Sequence, residues 1–169
     1  FNAHPEGFRR LVDALADLDL CWIELDLHNP KALGEIRRRS SAPISSGESL
    51  FGVRQFLPYL HEGAVDVAIV DVIRNGAWQS LKIAALADGH DVNVAPHNYY
   101  SHLATMISLH LAAAVPNLRI VETDVDRIPW DHELFDEVPT IVDGSIAVTD
   151  RPGWGIDPIE SAIQARPPR

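Results

Sequence analysis

Five apolar runs of this sequence each end on an ionisable residue, and these residues recur at a nearly constant spacing. They are Glu24, Glu48, Asp71, His97 and Glu122. The intervals are 24, 23, 26 and 25 residues (48−24, 71−48, 97−71 and 122−97). A strand, a loop, a returning helix and a second loop need about 20 to 30 residues. The spacing therefore predicts repeated strand–helix units, with one ionisable side chain at the carboxyl end of each strand.

The residue types at these positions suit proton abstraction beside a metal ion. Glu24 and Glu48 offer the hard oxygen ligands that Mg²⁺ prefers. Asp71 and His97 suggest a dyad, in which the carboxylate bonds one imidazole nitrogen and raises the basicity of the other. Glu122 could share a proton with a substrate carboxylate. The set indicates removal of a C–H proton next to a metal-bound carboxylate, with Mg²⁺ and Glu122 stabilising the enediolate.

Each residue also has an ordinary structural interpretation. Glu24 is equally expected as an exposed strand residue, and Asp71 as a cap for the turn that follows it. His97 follows Pro96 and would suit a structural loop, while Glu122 would suit a surface ion pair. The functional interpretation rests on the joint placement, because five independent structural explanations would have to coincide at one period.

Repeated strand–helix units predict a parallel α/β sheet, wound right-handed, of the TIM-barrel type. In such barrels the loops after every strand meet at one face, which carries the chemistry. A helix is expected to begin at Asn29-Pro30, and His102 and His110 are expected to be packing or surface residues. Predicted strands cover 21–27, 65–72, 92–98 and 118–122, and predicted helices cover 50–60, 78–87 and 101–114.

The repeated strand–helix pattern does not continue after Glu122. Asp143-Gly144 lies between two alternating runs and predicts a β-hairpin over 140–148. Residues from about 159 onward are expected to form a frayed tail.

Length and composition bound the class of protein. The chain has 169 residues, whereas a complete eight-unit barrel needs about 250. Because only five strand ends are found and Phe1 stands abruptly at a strand end, we expect part of a barrel cut from a longer protein.

A net charge of −10 argues against a nucleic-acid partner. The single Cys21 suits a reducing, cytoplasmic compartment, and no apolar run is long enough to span a bilayer.

The motifs around the ionisable residues resemble the mandelate racemase branch of the enolase superfamily. The resemblance runs from Phe1 to about Glu160, and it is specific in the order and spacing of the motifs. Pro152-Gly153-Trp154-Gly155 is similar to the family's carboxy-terminal Pro-Gly-x-Gly segment. The other motifs are Trp22-Ile23-Glu24, Ser46-Gly47-Glu48, Val70-Asp71, Ala95-Pro96-His97-Asn98, and Glu122 with Asp124.

The resemblance implies an (α/β)₇β barrel with a separate capping domain. Residues 1–125 would be the carboxy-terminal part of the barrel, and residues 126–169 a segment returning toward the cap. Glu24 and Glu48 match the family's second and third Mg²⁺ ligands, Asp71 and His97 its base dyad, and Glu122 its electrophilic acid. Asn2 and Asn98 are implied to be substrate-binding residues.

The sequence departs from the family pattern in several places. The family's first metal ligand would fall immediately before Phe1. The strand with the family's Lys base and the amino-terminal capping domain are likewise expected outside this sequence. Leu25-Asp26 follows Glu24 where many relatives have Glu-Pro, and Asn75-Gly76-Ala77 replaces a common Gly-Gly.

Family members racemise or dehydrate α-hydroxy acids, often sugar acids. The leading prediction is therefore a Mg²⁺-dependent acid-sugar dehydratase, in which His97 takes the α-proton and returns it to the departing β-hydroxyl. A racemase or epimerase is the alternative within this class, and it needs a second base on the opposite face. A hypothesis from another class is an inactive part-barrel that only associates with another chain, since open sheet edges favour association. A small-molecule carboxylate and a homo-oligomer are the expected partners.

Overall fold

A computed structural model describes residues 4–166, and it contains a parallel sheet whose strands follow chain order, β1-β2-β3-β4. The four strands are β1 Ile23–Glu24, β2 Ile44–Ser46, β3 Val67–Asp71 and β4 Asn93–His97. Every neighbouring pair is parallel, and a helix follows each strand. The predicted parallel α/β fold is confirmed. The helices are α1 Pro5–Ala14, α2 Pro30–Arg37, α3 Gly52–His61, α4 Val72–Asp88, α5 His102–Ala114 and α6 Glu160–Gln164.

Local signals set the helix starts. The Asn29 side chain accepts a hydrogen bond from the Ala32 backbone N–H at 3.0 Å, and Pro30 occupies the first turn of α2. This is the predicted capped start, because Pro has no N–H to leave unsatisfied there. The backbone also breaks at Gly76, although α4 runs on either side of it. Gly76 has φ 71° and ψ 153°, which interrupts the helix with a kink.

Strand β3 is buried along its whole length because both of its faces are covered. On one face, Ala68 and Val70 belong to the main core, which also contains side chains from α2, α3 and α4. On the other face, Val67 and Ile69 pack with Ala95 of β4 and with the partly buried Trp22. This smaller cluster therefore packs the face of the sheet opposite the main core.

The predicted fifth strand, 118–122, is much shorter than expected. Leu118 forms one parallel bridge with Val94, and Val94 N and Arg119 N complete it with hydrogen bonds of 2.8 Å each. Beyond that bridge, hydrogen bonds from side chains take the place of the backbone hydrogen bonds between strands. The backbone carbonyl of Glu122 accepts from the Asn98 amide group at 2.9 Å rather than from a strand neighbour. The apolar pattern does not show that a side chain bonds the Glu122 carbonyl in place of a neighbouring strand. The predicted strand was therefore too long.

The carboxy-terminal predictions are also corrected. The hairpin over 140–148 is reduced to a tight turn, with Val142 bridged to Ser145 and positive φ at Asp143 and Gly144. The predicted frayed tail contains α6, whose first residues are tied down by an Ile159 N–H bond of 2.8 Å to the Leu134 carbonyl. Within residues 4–166, no helix is long and apolar enough to cross a membrane.

Candidate active site at the carboxyl ends of the strands

The parallel register brings the predicted ionisable residues to one edge of the sheet. Asp71 and His97 are paired directly across β3 and β4, as the last residues of their strands. Glu24 is the last residue of β1, and Glu48 follows β2 by two residues. Because all four strands are parallel, these residues share the same edge although they are far apart in sequence.

Gly47 makes the step that takes the chain from β2 to Glu48. Its φ is +125°, which L side chains rarely adopt. A Cβ at this position would also stand 2.9 Å from the Ile69 carbonyl oxygen and 2.9 Å from the Phe56 ring. Glycine is therefore required for the backbone to pass between β3 and α3 and present Glu48 at the strand ends.

His97 and Asp71 form the predicted dyad. The imidazole Nδ1 lies 3.2 Å from Asp71 Oδ2, and the Asp71 side chain is completely buried. On the other side of the ring, Nε2 lies 3.5 Å from Glu48 Oε2. Asp71 also caps α4, because its Oδ1 accepts from the Arg74 backbone N–H at 2.8 Å. One Asp71 oxygen thus caps the helix and the other faces His97, and the catalytic role of the pair stays a prediction.

Glu122 is held next to His97 by the residue that follows that histidine. Glu122 Oε2 accepts from the Asn98 backbone N–H at 2.7 Å. The Asn98 side chain donates to the Glu122 carbonyl and to Thr105 Oγ1, at 2.9 Å each. Asn98 is wholly buried. These bonds hold Glu122 in place, and the substrate-binding role of Asn98 stays a prediction. Asn2, the other predicted substrate-binding residue, lies outside the described residues.

Negative charge accumulates at the strand ends. Glu24 keeps an exposed surface, yet the protein atoms around the strand end remove part of its hydration and raise its pKa. The carboxylates of Glu48 and Glu122 raise that pKa further, against smaller opposite effects of His97 and Trp22. The carboxylates of Glu48 and Glu122 and the imidazole of His97 therefore all act on Glu24 at the strand ends.

This donor set fits Mg²⁺ as a partial ligand shell. Carboxylate oxygens suit the ion, which retains waters and accepts substrate oxygens as further ligands. A cation would also relieve the repulsion that raises the pKa of Glu24. Over residues 4–166, however, no three His, Cys, Asp or Glu side chains form a ready-made metal cluster. Glu24 and Glu48 would thus supply two ligands, and the rest must come from solvent, substrate or other residues.

Sequence reasoning missed two side chains that support the dyad. The Tyr100 hydroxyl donates to Asp71 Oδ2 at 2.5 Å. Arg127 donates to the Tyr100 carbonyl at 2.7 Å and to Asp131 Oδ2 at 2.8 Å. Tyr100 lies in a loop with no periodic pattern, so nothing in the sequence pointed to it. Arg127 and Asp131 lie outside the α-helices, so their four-residue spacing was no helical signal for an ion pair.

Fold and site together define a parallel α/β domain with carboxylates and a histidine–aspartate dyad at the carboxyl ends of its strands. Residues 3–162 match the family described as Enolase C-terminal domain-like. The chain belongs to this family, as its motifs predicted.

Several curated proteins align with most of the length of this chain. It is 31% identical over 160 residues to D-xylonate dehydratase of Haloferax volcanii, covering 93% of this chain and 39% of that protein. It is 32% identical to a D-galactonate dehydratase family member of Streptomyces bingchenggensis, covering 97% of this chain and 41% of that protein. The chain therefore spans about 40% of the length of these curated relatives.

Solved structures show the same fold. A Burkholderia xenovorans LB400 protein, provisionally named an L-alanine-DL-glutamate epimerase, was solved with magnesium and fumarate. It is 57% identical, with a TM-score of 0.97 over 100% of this chain and 42% of its own length. A mandelate racemase/muconate lactonizing enzyme of Jannaschia sp. CCS1 is 32% identical, with a TM-score of 0.88 over 96% of this chain and 42% of its own.

Proposed function

We propose that the full-length protein carrying this sequence uses Mg²⁺ to abstract an α-proton from a carboxylate substrate, and that it dehydrates a sugar acid. One observation carries the proposal. The His97–Asp71 dyad lies in register on adjacent strands, with its outer nitrogen 3.5 Å from Glu48. The dehydratase names of the curated relatives support the choice of a sugar acid.

Glu24 and Glu48 are the residues of this chain that would hold the ion. When bound, Mg²⁺ withdraws charge from a carboxylate and so makes the neighbouring C–H bond more acidic. Glu48 has a second task in this arrangement. Its Oε2 lies 3.5 Å from His97 Nε2, so a substrate held beside Glu48 would lie next to the base nitrogen.

His97 is the proposed base. Asp71 Oδ2 accepts a hydrogen bond from His97 Nδ1, so the proton of the neutral imidazole resides on Nδ1 and Nε2 keeps its lone pair. Nε2 removes the α-proton, and the electrons of the C–H bond pass into the enediolate. As the β C–O bond breaks, the electrons shared by the α-carbon and the carboxylate carbon of the enediolate form a double bond between the α- and β-carbons, and an oxygen lone pair re-forms the C=O bond. His97 returns its proton to the departing hydroxyl, which leaves as water. Each proton and electron pair is accounted for by one histidine on one face.

Glu122 is the proposed partner of the substrate carboxylate on the side away from Glu48. Asn98 fixes its Oε2, and we assign Oε1 to the substrate. A fixed hydrogen-bonding group at a developing negative charge lowers the barrier because little reorganisation is needed.

Epimerisation of an α-carbon is the second candidate, and the Burkholderia xenovorans protein favours it. That protein carries a provisional epimerase name at 57% identity, well above the identities to the dehydratases. Epimerisation starts with the same proton abstraction by His97 but needs a second base on the opposite face. That base would have to come from outside the set of residues described above.

The test is a substrate screen on full-length protein with Mg²⁺ in deuterated water. Sugar acids and other α-substituted carboxylates are scored by mass spectrometry for loss of water and by NMR for inversion at the α-carbon. We expect loss of water from at least one sugar acid, and no product with His97→Asn. Inversion without water loss would favour the epimerase. Failure of the folded, Mg²⁺-saturated full-length protein on every acid would reject the proposed function.

A further inference from the structure

Asp71 receives more hydrogen bonds than a simple dyad requires. Its side chain is completely buried. Oδ1 accepts from the Arg74 backbone N–H, and Oδ2 faces both His97 Nδ1 at 3.2 Å and the Tyr100 hydroxyl at 2.5 Å. A buried carboxylate needs such donors, because an unpaired charge in the interior is costly.

Tyr100 is the closest side-chain donor to the oxygen that faces the base. Arg74 Nε approaches the same Oδ2 only to 3.3 Å, and the Arg74 side chain is 57% exposed. Only the Asp71 end of this ion pair is buried, so water screens the Arg74 guanidinium and its long side chain loses entropy when it is held. The short Tyr100 bond must therefore dominate the orientation of Asp71 Oδ2.

Tyr100 also contacts the imidazole itself. The Tyr100 and His97 rings meet edge to face, with centroids 5.6 Å apart and planes at 86°. One side chain thus touches both members of the dyad, the carboxylate through its hydroxyl and the imidazole through its ring.

Tyr100 is itself fixed from the backbone side. Its carbonyl accepts from Arg127 Nη1 at 2.7 Å. The Arg127 guanidinium is mostly buried and also donates to Asp131 Oδ2 at 2.8 Å and to Thr105 Oγ1 at 3.0 Å. A planar guanidinium with three partners holds the loop between β4 and α5 in one geometry.

We propose that Tyr100 is a positioning residue for the base: its hydroxyl holds Asp71 Oδ2 against His97 Nδ1, so that Nε2 faces the strand ends. The inference rests on the proposed function, because it concerns the same proton abstraction. Burial and the neighbouring Asp71 raise the pKa of Tyr100, so the hydroxyl keeps its proton at neutral pH.

Kinetics of full-length protein with Mg²⁺ and its acid substrate test the proposal through Tyr100→Phe. The change removes one hydroxyl and keeps the ring. We expect kcat to fall on the order of tenfold, because one hydrogen bond to the charged Asp71 carboxylate is lost. KM and the Mg²⁺ affinity should stay unchanged, because Tyr100 touches neither Glu24 nor Glu48. Tyr99→Phe, at an exposed neighbouring tyrosine, is the matched control.

A kcat for Tyr100→Phe equal to that of Tyr99→Phe would overturn the inference and leave the proposed function standing. Absence of α-proton exchange in wild-type protein would instead reject the proposed function and the inference together. NMR of the unmodified protein gives an independent test that does not depend on a folded variant. A tyrosine hydroxyl proton bonded to a carboxylate should resonate far downfield and exchange slowly, and its absence would also overturn the inference.

Discussion

Asp71 serves two purposes with two oxygens. Oδ1 closes the first turn of α4 through Arg74 N–H, and Oδ2 orients His97. The cap was predictable from an Asp at a helix start, and the dyad from the spacing of strand ends. The Tyr100 bond was not predictable, because it depends on where a loop returns after β4.

Replacing Asp71 by Asn should separate these two purposes. The amide oxygen can still cap α4, but the amide nitrogen is a donor and would face a donor at His97 Nδ1. The histidine would then prefer the other tautomer and lose its base function at Nε2. We expect α-proton exchange to fall by about a hundredfold or more, while circular dichroism shows an intact fold. Asp88→Asn, at the exposed end of α4, is the control that should keep wild-type exchange.

Replacing Glu24 by Gln should stabilise the metal-free protein at neutral pH. The folded-state pKa of Glu24 is raised by burial and by Glu48 and Glu122. The folded state therefore holds this proton more tightly than the unfolded state, and stability is lost as pH rises from about 4.5 through the raised pKa. The measurement is the melting temperature of both proteins without Mg²⁺, at about pH 4 and about pH 7.

The Glu24→Gln gain should appear at neutral pH and vanish in acid. Asp17→Asn removes one surface charge from the loop after α1 and serves as the control for net charge. A variant less stable than wild type at neutral pH would contradict the view that Glu48 and Glu122 repel Glu24 at the strand ends.

At the scale of elements, the order of strands and helices followed from apolar periodicity, and several boundaries did not. Strand β1 has two residues although the alternating run covers seven, because only Ile23 and Glu24 find ladder partners on β2. The fifth strand is similarly cut short where Asn98 takes the place of a neighbouring strand. The apolar pattern predicts which residues face the core. The length of a strand depends on its register with the neighbouring strand and on side chains that bond its backbone.

The backbone step from β2 to Glu48 requires glycine at position 47. Gly47→Ala would combine an unfavourable positive φ with contacts of 2.9 Å to the Ile69 carbonyl oxygen and to the Phe56 ring. We expect a loss of about 2 to 4 kcal/mol in the free energy of unfolding. Urea denaturation followed by circular dichroism measures it.

Gly7→Ala is the matched control for that substitution. Gly7 lies in helix α1, and an added Cβ there meets no atom within 4 Å. Alanine favours a helix, so Gly7→Ala should equal or exceed wild-type stability. Equal stability of Gly47→Ala and Gly7→Ala would show that the step into Glu48 tolerates a side chain.

At the scale of the whole molecule, a buried polar network joins the segment after Glu122 to helix α5. Arg127 and Asp131 form its ion pair, and His102 Nε2 lies 3.5 Å from Asp131 Oδ2. The His102 ring also meets the Phe135 ring edge to face. His102 was expected to be a packing or surface residue, and it is a packing residue, although its partner is a carboxylate as well as a ring. Nothing in the local sequence placed residues 127–135 against α5, because this contact is purely tertiary.

This network predicts acid sensitivity. Burial lowers the pKa of His102, Arg127 and His132 lower it further, and Asp131 acts against them. The unfolded state therefore binds more protons than the folded state below the ordinary value of 6.5, so stability falls as pH falls through that range. Between about pH 7.5 and about pH 5.5, wild-type protein should lose more unfolding free energy than His102→Gln. His90→Gln, which leaves His102 in place, should behave like wild type.

The central claim is that His97 is the base of a Mg²⁺-dependent α-proton abstraction. The most direct measurement is NMR of deuterium incorporation at the α-carbon of the substrate acid, on full-length protein in deuterated water. We predict incorporation by wild-type protein with Mg²⁺, none after chelation of the metal, and none with folded His97→Asn. Incorporation at the wild-type rate by His97→Asn, or without any divalent metal, would contradict the account.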